Sequence, residues 1–179
     1  AEALYNIQRE LPRRVTWGSL RLVVIGRKYA ESGMQPLMDM LLRMPEIRPK
    51  VQLFYIGGQA KETARLATVF ERFPSEVIRE FAHMRIVQEV ILKDMLAWQW
   101  NNEGDGFLPG IRFKSGPMLT EKMAQQKWVV GDGTVLLKGG KASVLLSDGA
   151  ARGVQWIMGD VRESVVTAES PSDGKPLSL

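Results

Sequence analysis

A lone histidine, two glycine-flanked carboxylate stretches and a glycine pair are the features whose residue types and spacing could do chemistry. His83 is the only histidine. His-based metal clusters are therefore excluded, and a Ser-His-Asp triad would depend on that one side chain, which the pattern places at a helix start. No G-x-S-x-G elbow accompanies it, and a surface or capping histidine is the plainer reading. Cysteine is absent, which excludes disulfides, thiolate zinc sites and a cysteine nucleophile. Gly57-Gly58, in FYIGGQAKE, falls between a strand pattern and a helix pattern, where helix N-termini hold phosphates. The stretch lacks the third glycine of G-x-G-x-x-G, a following phosphate-loop lysine and an acidic residue for a ribose. Glycines that simply turn a strand into a helix account for it better, and a small-ligand or nucleotide-binding α/β domain using this turn is the alternative function. NEGDGF and VGDGTV set carboxylates beside glycines, yet neither has the alternating oxygen ligands and closing glutamate of an EF-hand loop. No carboxylate pair stands out as an acid–base couple. The residues thus point to no catalytic site, no metal site and no cofactor.

Contact chemistry is the remaining option. Arg13 and Arg14, with Arg9, form the densest basic patch, and Trp17 lies beside them in a turn pattern. Trp98 and Trp100 are two apart on a helical pattern, so they cannot both point inward and one is expected at the surface. Arg13, Arg14, Trp17, Trp98 and Trp100 are the candidate interaction surface, because exposed tryptophan and arginine are typical interface anchors. Trp128 and Trp156 sit in apolar patterns and are expected to be buried.

The elements that must position these residues follow from periodicity. The chain has 179 residues, 45% of them apolar, with 24 Lys+Arg against 20 Asp+Glu and a net charge of +4. That suffices for a core, and the interspersed charge argues against a nucleic-acid partner. No apolar run reaches the ~18 residues of a membrane span. AEALYNIQREL spaces Leu4, Ile7 and Leu11 as a helix stopped by Pro12. LRLVVIG reads as a buried strand, then Met34, Leu37, Met38, Leu41 and Leu42 mark a helix ended by Pro45. A second strand starts at Val51, and Ala60, Ala64, Ala67 and Phe70 space another helix. One long helix is expected over about 84–101, with Val87, Ile91, Met95 and Trp98 on one side.

After the loop NNEGDG the chain becomes strand-like. FLPGIRF, KWVVGDGTVLLKG, GKASVLLS and GDVRESVVTAE read as strands, and SPSDGKPLSL as a turn entering a strand without a partner in the chain. Gly139-Gly140 is expected as a two-residue hairpin loop. Ser147 or Asp148 should cap a helix of about 148–158, with Ala151, Val154 and Ile157 on the sheet, Gly153 at a close approach and Gly159 as its C′ residue. The fold class is α+β. Two domains are expected, residues 1–102 and 103–179, each a mixed or antiparallel sheet packed with helices.

Four segments in order, RELPRRVTWGSLRLVVIG, LLRMPEIRP, FLPGI and DGTVLLKGGKASVLLSDGAARGVQWIMG, resemble the Ger(x)C family, the C subunits of spore germinant receptors. Ser19 stands where the family pattern has a histidine, and Met44 where it has an acidic residue before the proline. The resemblance implies a non-enzymatic spore germination lipoprotein without cofactors. It implies membrane-embedded A and B subunits as partners, and attachment to the outer face of the spore inner membrane through an N-terminal lipid that this stretch does not include. It also implies that the chain is an internal piece of a longer protein.

Overall fold

The computed structural model describes residues 6, 8–12, 14–66, 73–101, 104–117, 125–159, 167–169 and 176–178. Its centre is a five-stranded sheet in the order β1 (Leu22–Gly26), β2 (Gln52–Ile56), β3 (Gly106–Pro117), β4 (Gln125–Lys138), β5 (Lys141–Leu146). β1 and β2 are parallel, β2 and β3 are parallel through Tyr55↔Gly110 and Ile56↔Ile111, and β3–β4–β5 is antiparallel. Around it lie helices α1 (Arg27–Ser32), α2 (Gln35–Leu42), α3 (Pro74–His83), α4 (Leu92–Asn101) and α5 (Asp148–Ile157), with a 3₁₀ segment at Ala60–Arg65. A separate antiparallel pair joins β6 (Thr167–Glu169) to β7 (Pro176–Ser178).

Strand alternation divides the core into two layers. Ile25, Leu53, Tyr55, Leu108, Val135 and Leu137 point to one face, under Ala30 of α1, Met34 beside α2, Met38 and Leu41 of α2, and Met95 of α4. Phe54, Ile56, Ile111 and Val129 point to the other, where Ile78 and Ala82 of α3 and the half-buried Ala60 of the 3₁₀ segment cover them. Every residue of β2 is buried, which explains its unbroken apolar run from Leu53 to Ile56: a central parallel strand is covered on both faces.

Several elements depart from the sequence pattern. The sheet does not stop at residues 101–107. β3, β4 and β5 extend the sheet begun by β1 and β2, and Leu108, Val135 and Leu137 share a core layer with Leu53. The expected division into residues 1–102 and 103–179 therefore does not coincide with an edge of this sheet. Residues 84–101, expected as one long helix, are instead a bend after α3, an extended stretch and α4. Val87 enters one core layer and Val90 the other, which an extended segment crossing between layers allows and one helix face does not. Leu53 N–H donates to Val90 O at 2.9 Å and Leu92 N–H to Val51 O at 2.8 Å, so this stretch runs along β2. Asp94 Oδ2 then accepts from Ile91 N–H at 3.0 Å and starts α4.

The helix expected from Ala60 is a six-residue 3₁₀ turn, while Ala67 and Phe70 lie outside the described residues. In the first helix Asn6 and Gln8–Glu10 are helical, Leu4 and Ile7 lie outside the described residues, and Leu11 is exposed. Helix α1 was not foreseen. β7 has a partner, β6, contrary to expectation. The Gly139-Gly140 hairpin is present, with both φ values positive, at 56° and 71°, as a type I′ turn requires. Ser147 is the N-cap of α5, though its side chain makes no capping bond. Ala151 is buried as expected. Ile157 is 84% exposed rather than facing the sheet, Trp156 is also exposed, and no atom lies near enough to Gly153 to require a glycine.

Candidate functional site

The five contact candidates divide by burial. Arg13 lies outside the described residues. Trp17 is half-buried against the first core layer, and its backbone N–H donates to Glu46 Oε2 at 3.0 Å. Trp98 is half-buried against the same layer, where its ring meets Phe107 at 4.9 Å between centroids, tilted by 45°. The ring lies over Gly106, where a Cβ would be only 2.3 Å from Trp98 Cε3. Arg14 and Trp100 are the two that present to solvent, Trp100 at 77% exposure from the last turn of α4. The neighbouring Gln99 donates to Gln35 and ties this helix to α2.

Asp105 and Asp132, the described carboxylates flanked by glycine, bond backbone and arginine respectively. Asp105 Oδ1 accepts from Gly139 N–H at 2.7 Å, and Gly140 N–H donates to Gly104 O at 3.1 Å, so NEGDGF docks on the hairpin loop. Asp132 sits in a bulge of β4, where Asp132 and Gly133 together face Gly110, and it pairs with Arg112 at 3.0 Å. Gly133 has φ +79°, and a Cβ there would fall 2.0 Å from Leu146 O. Among the described residues no group of three or more acidic or histidine side chains could hold a metal. His83 is exposed at the C-terminal end of α3, not at a helix start. Gly57-Gly58 leads into the 3₁₀ segment, so the α-helical N-terminus that a phosphate loop needs is missing there.

Electrostatics around β2 is likewise structural. Gln52, 6% exposed, donates from Nε2 to Glu89 Oε1 at 2.7 Å and accepts from Arg79 Nε at 3.1 Å, joining α3 and the extended stretch to the sheet. Burial pushes the Tyr55 phenol above its ordinary pKa of 10.0, against the opposing pull of Arg27, so it stays protonated at neutral pH and is no base. Arg27 is held by Glu31 at 2.7 Å. A groove of about 700 Å³ runs along β1 between Leu22, Val24, Thr63 and Arg79. A smaller cleft of about 290 Å³ gathers Arg85, Thr134 and Arg152 from three separate elements. The sequence reading missed these three, because no local pattern links positions so far apart.

No helix among the described residues is long and apolar enough to cross a membrane. Residues 1–113 match the family model described as the spore germination protein N-terminal domain. Over 110 residues the chain is 30% identical to YfkR of Bacillus subtilis (strain 168), a protein provisionally named for spore germination, and the match covers 62% of this chain and 29% of YfkR. The crystal structure of the GerBC protein shares the fold, with a TM-score of 0.59 at 15% identity, over 93% of this chain and 46% of that one. The chain thus spans less than half the length of both. Since the family model matches more than half of its residues, including β1, β2 and most of the helical layers, the chain belongs to the Ger(x)C family of spore germination proteins.

Proposed function

We propose that the chain is part of a germinant-receptor C subunit, a non-catalytic lipoprotein that acts in nutrient-triggered spore germination. In this reading it works through contacts with the membrane-embedded A and B subunits, on the outer face of the spore inner membrane. The family match over residues 1–113 carries the proposal. The geometry agrees with it: the carboxylates that invited a catalytic or metal reading bond backbone or arginine, while an indole ring stands in solvent at Trp100. A lipid chain alone anchors weakly, so protein contacts would add to retention at the membrane.

Spores carrying the full-length gene with Trp100→Ala should germinate more slowly in nutrient, and the variant should co-purify less with the A and B subunits. The expected loss is on the order of tenfold or more in association if Trp100 is an anchor. Intact nutrient germination after deletion of the gene, or substrate turnover by the purified protein, would overturn the assignment.

A further inference from the structure

The two ends of β1 and β2 differ in how their charges are matched. The strands run parallel and end together at Gly26 and Ile56, and β3 continues past them from Ile111 to Pro117 with β4 beside it. The segments that meet at this carboxyl end are residues 27–32, 57–66, 112–117 and 125–132. They hold three acids, and each already has a cation. Glu31 holds Arg27 at 2.7 Å, Asp132 holds Arg112 at 3.0 Å, and Glu62 holds Lys127. Lys28, Lys61, Arg65 and Lys114 stand on the same segments, all of them exposed, with no acid of those segments left for them. None of these four has an ion pair among the described residues. Their unmatched charge equals the net charge of the whole chain, +4. At the amino end of the same strands, acids are interleaved with the cations: Glu46, Glu89 and Asp94 lie among Arg21, Arg48, Lys50 and Lys93.

An excess of exposed cations at one end of a fold attracts an anionic partner, and their placement narrows its kind. Lys28 follows β1, Lys61 and Arg65 follow β2, and Lys114 is on β3, so the four span the width of three strands rather than lining one row. An extended acidic peptide would track a row. The headgroup plane of an anionic bilayer is a field of negative charge that meets all four together. The ring of Phe73, 51% exposed, borders Thr63 and Ala64 of the same 3₁₀ segment as Lys61 and Arg65. An aromatic ring beside cations suits the boundary between headgroups and acyl chains, where its apolar body can leave water. A nucleic-acid backbone offers no such boundary.

We propose that the carboxyl end of β1 and β2 docks on the headgroups of an anionic bilayer, with Lys28, Lys61, Arg65 and Lys114 facing the lipid. The inference rests on the charge this chain itself carries and not on the receptor assignment. Sedimentation of the whole chain with lipid vesicles tests it. The chain should bind vesicles of equal parts phosphatidylglycerol and phosphatidylcholine, should not bind phosphatidylcholine alone, and should be released as salt is raised. The double variant Lys61→Glu, Arg65→Glu should bind the mixed vesicles at least about tenfold more weakly. Arg48→Glu, Lys50→Glu changes the net charge equally but at the other end of the sheet, beyond the reach of screened charge, and should bind within about twofold of the parent. All four positions are exposed, so both variants should keep the parent's melting temperature; if the first does not fold, Lys28→Glu, Lys114→Glu takes its place. The proposal fails if the parent shows no preference for the phosphatidylglycerol mixture, or if reversal at the two ends weakens binding alike. It fails too if soluble polyglutamate binds the parent as tightly as the vesicles do, which would make an acidic polypeptide the partner.

Discussion

Gly106 and Trp98 act as one packing unit. A Cβ at residue 106 would lie 2.3 Å from Trp98 Cε3 and 2.6 Å from Cδ2, closer than any side-chain contact tolerates, so the indole can lie flat on the strand only while residue 106 is glycine. Gly106→Ala should cost about 1–3 kcal/mol, the range for overpacking a closed site. Trp98→Leu removes the ring, so adding Gly106→Ala to it should cost much less than it does alone. Urea unfolding of both single variants and the double variant measures this coupling, and strictly additive costs would show that the ring does not depend on the glycine. The placement of the two tryptophans was legible in the sequence, because residues two apart on a helix must diverge. The glycine beneath Trp98 was not, since its partner is a ring eight residues away that reaches it only once α4 folds back on β3.

The 3₁₀ segment is held to β4 by a Glu62–Lys127 ion pair, and Lys127 also lies over the Phe113 ring, 4.8 Å from its centroid. The hydrogen bond from Lys127 lowers the Glu62 pKa below its ordinary 4.5. A depressed folded-state pKa means that the unfolded chain binds the proton more readily. The stabilisation is then complete above the unfolded value and is lost as pH falls through the folded one. Melting temperatures of the parent and Glu62→Gln should differ by a constant amount near neutral pH and converge in acid, as pH falls below the ordinary 4.5 and through the depressed folded value; a difference that ignores pH would sink the idea. High salt should also shrink it, because both side chains are partly exposed. Among elements, β2 was readable because a strand buried on both faces needs an unbroken apolar run. The stretch 84–91 was misread because Val87 and Ile91, four apart, fit a helix face, whereas the chain there is extended and carries Val87 and Val90 into opposite core layers. The left-handed bend at Arg85 that separates those possibilities has no glycine to announce it.

At the scale of the molecule, β3 to β5 continue the sheet of β1 and β2 on the far side of the stretch 101–107, where composition suggested a boundary. NNEGDG is polar and glycine-rich, as linkers are, but composition cannot tell whether the next strand starts a new sheet or rejoins the old one. Rejoining is a long-range fact: Tyr55 and Ile56 pair with Gly110 and Ile111, and Leu108, Ile111, Val129, Val135 and Leu137 complete the two core layers. Cutting the chain after residue 102 would remove those five side chains and leave the inner edge of β2 open. At roughly 2 kcal/mol for each buried aliphatic side chain, the loss is about 10 kcal/mol, as large as the whole stability of an ordinary domain. A fragment of residues 1–102 should therefore show no cooperative thermal transition and poorly dispersed amide resonances, while the whole chain shows both. A sharp melt from the fragment would restore residues 1–102 as a folding unit. Its absence would mean that β1, β2 and their helices depend on β3 and β4, so that a contact made through Trp100, six residues before β3, is held in place from both sides of the supposed boundary.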